Sequence, residues 1–309
     1  MLVLRGLEHF PADLGESVVA LGTFDGVHRG HQEVLQQTVA RARALGLTSL
    51  AVTFDPHPLQ VLQPARAPAP IVSLEEKTEL MALTELDALM VISFTKEFSL
   101  MEAEEFVSKI LRGAFKAREV VVGFNHRFGK GARGDSELMA RLAREQGFVA
   151  HVIPPLVLDG QVVSSSAIRE ALKVGDVRRA RSLLGRPYIV TGRVLRGDER
   201  GKTIGFPTAN LRPERALPLA QGVYAVRAEW KGEKADGVTN IGYRPTFGGS
   251  TLWIETYLLD FQEDLYDRIL KLAFIDRIRA EQRFENVEIL KKQIGRDVEA
   301  AKAILGRLS

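Results

Sequence analysis

From residue 18 to residue 153 the chain repeats one pattern: a short apolar run, then a stretch of helical periodicity. The apolar runs are Val18–Leu21, Leu50–Phe54, ALMVISF (88–94), EVVVGF (119–124) and FVAHVI (148–153). Between them lie a helical pattern from about His31 to Leu45, then SLEEKTELMALTEL (73–86), EAEEFVSKILRGAF (102–115) and SELMARLAREQG (136–147). Ser73 with Glu76 three residues on reads as a capping box, and Gly147 reads as a helix stop. Strands separated by helices can pair only through crossovers, so these residues predict a doubly wound parallel α/β sheet of five strands. SSAIREALKVG and DVRRARSLLG (165–185) add two short helices that close this half.

After Gly185 the pattern changes. YIVTGRVL, GVYAVRAEW, KADGVTNIG and TLWIETYLLDF are short, β-branched or aromatic, and punctuated by glycine. No long helical pattern returns until VEIL…AAKAIL near the C-terminus. These segments predict a small antiparallel β-barrel with a C-terminal helix. A length of 309 residues also favours two domains, here 1–184 and 185–309. Composition narrows the chemistry. No cysteine is present, so disulfides, thiolate metal sites and a cysteine nucleophile are excluded. No signal-peptide core opens the chain and no apolar run is long enough for a bilayer, so a cytoplasmic protein without a membrane partner is expected. A net charge of +3 forces no nucleic-acid partner and suits anionic small molecules.

The first candidate site is LGTFDGVHRGHQEVL (21–35), the turn after the first apolar run. Gly22, Gly26 and Gly30 are spaced by four, which is neither G-x-G-x-x-G nor a P-loop. Glycines let backbone approach a ligand, and a helix N-terminus favours negative charge. Two of the chain's six histidines, His28 and His31, stand three apart across the helix start, where both imidazoles can face one phosphate. The competing readings are a tight structural turn with surface histidines, or half of a metal site.

The second candidate region is GDERGKTIGFPTANL (197–211). Three residues separate Gly197 from Gly201, one short of a Walker pattern, so it reads as a flexible glycine loop from which Lys202 could reach a phosphate. Pro207 biases Phe206 towards an extended shape, and continued extension puts Thr208 and Asn210 on one side. They then offer hard neutral oxygens suited to Mg²⁺; the alternative is an ordinary polar turn. In TLWIETYLL, Trp253, Glu255 and Tyr257 share a strand face. A carboxylate between two aromatics is partly desolvated and serves as a base, unless that face is simply solvated.

These stretches resemble the bacterial bifunctional riboflavin kinase/FAD synthetases. GTFDGVHRGH (22–31) is similar to the H-x-G-H nucleotidyltransferase signature, and TFDPHP (53–58), VVGFNHRFGKGARGD (121–135) and VSSSAIR (163–169) follow in the family's order. In the other half GFPTANL, GVYAV (222–226), GVTNIGYRPTFGG (237–249) and IETYLLDFQEDLY (254–266) match as well. The resemblance implies riboflavin phosphorylation to FMN in the barrel and adenylylation of FMN to FAD in the α/β half, both with ATP and Mg²⁺. It gives His28 and His31 the α-phosphate region. Gly22, Phe24, Asp25, Gly30 and Asn125 would line the nucleotide, with Ser164, Ser165 and Arg169 gripping its phosphates. Read alone, the serines are equally helix caps. Pro56, His57, Pro58 and Phe128 would shape a flavin pocket. In the barrel the resemblance gives ATP to Gly201, Lys202, Thr208 and Asn210, with the last two on the metal. Glu255 becomes the general base, and Arg279, Glu281 and Phe284 of RIRAEQRF (277–284) flavin contacts. Three departures stand out: Asn125-His126 where the family often has Asp-Phe, Ser166 for threonine, and Asp267 where glycine is common. A single-activity enzyme and a flavin sensor without turnover are the competing functions. Oligomeric state is open.

Overall fold

The computed structural model describes the chain outside residues 12, 198–200, 202–203, 247–248, 262 and 308–309, and outside the side chains of residues 243–251. It divides into two compact units, Met1–Pro68 with Val72–Ser164, and Ala69–Ile71 with Ser165–Ser309.

The first unit contains β1 (Leu2–Arg5), β2 (Ser17–Leu21), α1 (Arg29–Leu45), β3 (Thr48–Asp55), α2 (Pro58–Leu62), α3 (Leu74–Ala82) and β4 (Ala88–Ser93). It continues with α4 (Ala103–Glu105), which passes into a π-helical stretch (Phe106–Ala114). Then follow β5 (Ala117–Gly123), α5 (Ser136–Gln146), β6 (Val149–Ile153) and a hairpin of β7 (Val157–Leu158) and β8 (Gln161–Val162). The six-stranded sheet has the order β1-β4-β3-β2-β5-β6, and every neighbouring pair is parallel. The expectation of five strands is therefore corrected to six. The addition, β1, is an edge strand of four residues with one buried side chain, lying ahead of the helix-and-strand alternation from which the five were read.

Alternate residues of the strands feed two cores, one per face. Val19, Leu21, Val52 and Val122 pack with Phe106, Phe115 and Met139 on one side. Val18, Ala20, Ala51 and Val121 pack with Val34, Leu35 and Met81 on the other. Burial on both faces is why these strands read as continuous apolar runs. The predicted capping box is present: Glu76 N donates to Ser73 Oγ at 3.1 Å and Ser73 N to Glu76 Oε2 at 2.8 Å. From β2 the chain steps to β3 and β4 on one side, then returns to place β5 on the other. Such a reversal opens a crevice at the carboxyl ends of the two central strands, here β2 and β5.

The second unit begins with α6 (Ser165–Lys173) and α7 (Val177–Leu184), then β9 (Tyr188–Leu195), β10 (Ala209–Pro213), β11 (Gly222–Trp230) and β12 (Glu233–Thr246). It ends with β13 (Gly249–Leu258), β14 (Ile269–Arg279) and, as α8 here, the helix Val287–Gly306. The strands close into a barrel, β10-β13-β12-β11-β14-β9. Tyr224, Ile254, Thr256 and Phe274 are fully buried, with the Thr239 and Thr256 hydroxyls hydrogen-bonded at 2.8 Å. Their neighbours in sequence, Val223, Ala225 and Ile275, join a second cluster with Val298, Ala301 and Leu305 of α8. A bidentate pair pins that helix: Arg279 Nε lies 3.0 Å from Asp297 Oδ1, and Arg279 Nη2 2.8 Å from Oδ2. Asp267 has φ 61°, the left-handed conformation for which glycine is the usual residue.

Candidate functional site

In the first unit, the turn over residues 22–28 connects β2 to α1 beside the crevice. Gly26 has φ 86°, and so, at cost, do two residues with side chains enter the left-handed region: Phe24 at 47° and Val27 at 40°. Conformations of that kind cost about 1–3 kcal/mol each and persist only where surrounding structure imposes them. Here Gln32 Nε2 donates to Val27 O at 2.9 Å. The Phe24 ring is buried beneath the turn, 3.0 Å from where a Cβ on Gly22 would stand. Phe24 is thus a wedge under the loop, and Asp25 is buried beside it.

His28 is the N-cap of α1, its Nδ1 accepting from the His31 amide at 3.2 Å. An imidazole that accepts at Nδ1 carries its proton, when neutral, on Nε2. The two rings stack, with centroids 3.5 Å apart and planes within 15°, and His31 meets the edge of Phe24 at 5.3 Å. Burial, then the nearby His28 and Lys77 charges, hold His31 well below the usual imidazole range. Its Nδ1 is buried with no hydrogen-bond partner among the described residues. No acidic residue occupies the first turn of α1, so the positive end of the helix dipole is left for an anion. Gly30 keeps this end open: a Cβ there would stand 3.3 Å from the His28 ring and 3.8 Å from the Val163 carbonyl. That carbonyl precedes Ser164, so the first residues of the VSSSAIR segment lie beside the start of α1. Ser165 and Arg169 lie in the second unit, where Ser165 opens α6 and Arg169 Nε donates to Ala69 O at 2.9 Å.

Across the crevice, Asn125 sits in the turn that follows β5, its Oδ1 3.6 Å from a Cβ placed on Gly123. Phe128 is buried, with Gly134 so close that a Cβ there would stand 2.7 Å from its ring. It belongs to an aromatic row that the sequence did not reveal. Phe54 meets Phe94 at 5.7 Å, Phe94 meets Phe98 at 5.8 Å, Phe98 meets Phe106 at 6.3 Å, and Phe106 meets Phe128 at 6.1 Å. The row runs from the carboxyl ends of β3 and β4 to the loop after β5, with Phe106 and Phe128 buried in the core. His126 stacks on Phe128 at 5.9 Å, and burial pushes its imidazole down to about 4. His57, between Pro56 and Pro58, caps α2: its Nδ1 accepts from the Leu59 amide at 3.2 Å.

In the second unit one rung of the barrel collects the candidates. Asn210 is the cross-strand partner of Glu255, Glu255 of Asn240, Asn240 of Val223, and Val223 of Arg279. Asn240 had no signal of its own; only the strand register places it beside Glu255. Phe206 packs edge-on against Tyr257 at 5.3 Å, which holds the P-T-A-N segment beside the strand of Glu255. Gly197 and Gly201 lie on the same residues. A Cβ on Gly201 would stand 3.2 Å from Thr208 Oγ1, and one on Gly197 would collide with the Asn210 amide. Lys202 lies outside the described residues. Glu281 rests against Gly242 so closely that a Cβ there would collide with its carboxylate. The Arg279 guanidinium is committed to Asp297 and sits 5.6 Å over the Phe284 ring.

The donor set bears on metal. Thr208 and Asn210 supply neutral oxygens, and among the described residues no group of three histidines or carboxylates forms a cage. Such a set fits Mg²⁺ that arrives already held by phosphates.

A family model described as FAD synthetase matches residues 10–167, and one described as riboflavin kinase matches residues 184–305. The chain is 38% identical over 308 residues to the bifunctional riboflavin kinase/FMN adenylyltransferase of Escherichia coli K12, covering 99% of this chain and 98% of that one. The protein of the same description from Bacillus subtilis is 38% identical over 292 residues, 93% of this chain and 92% of that one. Among solved structures, a Streptococcus pneumoniae protein described as a macrolide-efflux protein aligns with TM-score 0.89 and 29% identity, covering 98% of this chain and 99% of that one. Among the described residues no helix is long and apolar enough to cross a membrane.

Proposed function

The chain belongs to the bifunctional riboflavin kinase/FMN adenylyltransferase family, and we propose that the two sites described above divide that family's two reactions between them. The protein is a transferase of flavin biosynthesis: it phosphorylates riboflavin to FMN and adenylylates FMN to FAD, with ATP as substrate of both. In our reading residues 1–184 carry adenylyl transfer and residues 185–309 carry phosphorylation.

The observation that carries the first assignment is the stacked imidazole pair capping α1 at the carboxyl end of β2. Adenylyl transfer needs no covalent intermediate: an FMN phosphate oxygen attacks the α-phosphorus of ATP and pyrophosphate leaves. Catalysis then consists of positioning and of donors aimed at developing charge. His28, protonated at Nε2, and the start of α1 supply such donors. Gly22, Gly30 and Asn125 line the nucleotide, while Phe24 and Asp25 shape the turn from beneath. Ser164, Ser165 and Arg169 serve the ATP phosphates, as the motif implies. The aromatic row ending at Phe128, with Pro56, His57 and Pro58, is the bed for the flavin ring.

In the barrel Glu255 takes the proton from the riboflavin 5′-hydroxyl as that oxygen attacks the γ-phosphorus of ATP, and ADP leaves. Thr208 and Asn210 would hold the Mg²⁺ that neutralises phosphate charge when bound. Gly197 and Gly201 let the loop lie against these two residues. Glu281 and Phe284 lie towards the flavin, with Arg279 fixing their segment through Asp297.

The test is a chromatographic time course of riboflavin with excess ATP and Mg²⁺, repeated with FMN. Passage of riboflavin through FMN to FAD is the expected result. FMN converted while riboflavin stays untouched would overturn the role of Glu255, and a stall at FMN in both runs would overturn the role of His28 and His31.

A further inference from the structure

A buried lysine lies beneath the strained turn of the first unit, outside every stretch quoted above for the family resemblance. Lys77 stands one turn into α3, its amide donating to Ser73 O at 2.9 Å. Four residues later on the same helix face, Met81 is fully buried, and Lys77 itself is 7% exposed. Its ammonium reaches the turn. Lys77 Nζ donates to Thr23 O at 2.8 Å and to Thr53 Oγ1 at 3.2 Å, and Thr53 Oγ1 in turn donates to Thr23 O at 3.0 Å. Two groups, one from β3 and one from α3, therefore close on one carbonyl of the turn, immediately before the left-handed Phe24.

Among the described residues no carboxylate forms an ion pair with this ammonium; Asp25 and Asp55 act on it from farther off. Burying a cation without a contacting anion is destabilising, and an apolar side chain of the same length would pack there at lower cost. The charge thus has no contacting carboxylate among the described residues, and it lies where the α1 N-terminus already favours an anion.

We propose that Lys77 is a positioning residue for adenylyl transfer. It fixes the Thr23 carbonyl, holds residues 22–28 in the strained course that presents His28 and His31, and places a positive charge beneath the anionic nucleotide. The inference rests on the reading of the first unit given above. It is consistent with the charges around His31, where His28 on the same turn and Lys77 on α3 both disfavour a second positive charge.

Lys77→Met tests it in the full-length protein, with riboflavin phosphorylation in the other unit as an internal control. The expected result is a fall in kcat for FMN adenylylation on the order of 100-fold, larger than any rise in KM for ATP. Riboflavin phosphorylation stays within about twofold, because Lys77 and the barrel belong to separate compact units. The His31 imidazole, followed by NMR, titrates at higher pH than in the parent protein. Adenylylation within about threefold of the parent, or an unmoved His31 titration, would overturn the inference. Should Lys77→Met fail to fold, Thr53→Val decides. It keeps the shape of the strand residue and removes the bridging hydroxyl, so kcat for adenylylation falls about threefold to tenfold; an unchanged kcat overturns the inference. A parent protein that makes FAD from riboflavin but keeps full rate in both variants leaves the reading of the first unit standing and removes Lys77 from it. A parent protein that cannot adenylylate FMN removes both.

Discussion

Asn210 and Glu255 face each other across the β10–β13 pair, and Glu255 faces Asn240 across β13–β12. In the reading proposed above, this carboxylate between two carboxamides would present one side to the phosphates of ATP and the other to the substrate hydroxyl. Glu255→Gln keeps the shape and removes the base. Riboflavin phosphorylation should fall by about 100-fold to 10,000-fold while supplied FMN still becomes FAD, measured by chromatography of both reactions.

His28 has two duties that substitution can separate. His28→Ala removes the cap and the imidazole, so a time course from riboflavin should stop at FMN and the first unit should lose about 1 kcal/mol in urea unfolding. His28→Ser restores a capping oxygen. Its stability should recover while adenylylation stays lost. A serine variant that makes FAD at the parent rate would reduce His28 to a structural cap.

Gly197 lies against the Asn210 amide with no room for a Cβ. Gly197→Ala should push Asn210 out of place and raise KM for ATP in riboflavin phosphorylation about tenfold or more. Adenylylation kinetics of the same variant should be unaltered.

His126 gives a pH signature. Its imidazole is pushed down to about 4 in the folded protein from an ordinary 6.5. Below 6.5 the unfolded chain binds this proton and the folded chain does not. The stability contribution is therefore fully present above about pH 6.5 and is lost as pH falls towards 4, by up to about 3 kcal/mol. His31 acts in the same direction. His126→Phe, whose ring can keep the stack on Phe128, should flatten part of the slope of urea midpoint against pH between 7.5 and 5.

The central strands of the first unit, β2 to β5, were legible because burial on both faces writes an apolar run into the sequence. In the barrel β14 was not, because Lys271, Asp276 and Arg277 interrupt ILKLAFIDRIR and leave neither clean alternation nor a run. His28, His31, Thr208, Asn210 and Glu255 could be singled out by residue type and spacing. Lys77 could not: within SLEEKTELMALTEL it has the look of a solvated helix position, and only packing reveals it as buried. Asn240 and the row from Phe54 to Phe128 share that difficulty, since strand register and long-range proximity assemble them. His57 and His28 both cap helices through Nδ1, a use of histidine that residue preferences at N-caps do not suggest.

The four-residue strand β1 has one more consequence. Leu2 through Arg5 pair with Ala88 through Val91, and β4 is the apolar segment ALMVIS, buried at five of its six positions. If β1 is stripped away, β4 becomes the margin of the sheet, offering unpaired amides and carbonyls on a greasy ribbon to any other extended chain. Shortening this protein by five residues at its start would therefore be felt first as clumping during folding, well before either reaction slowed.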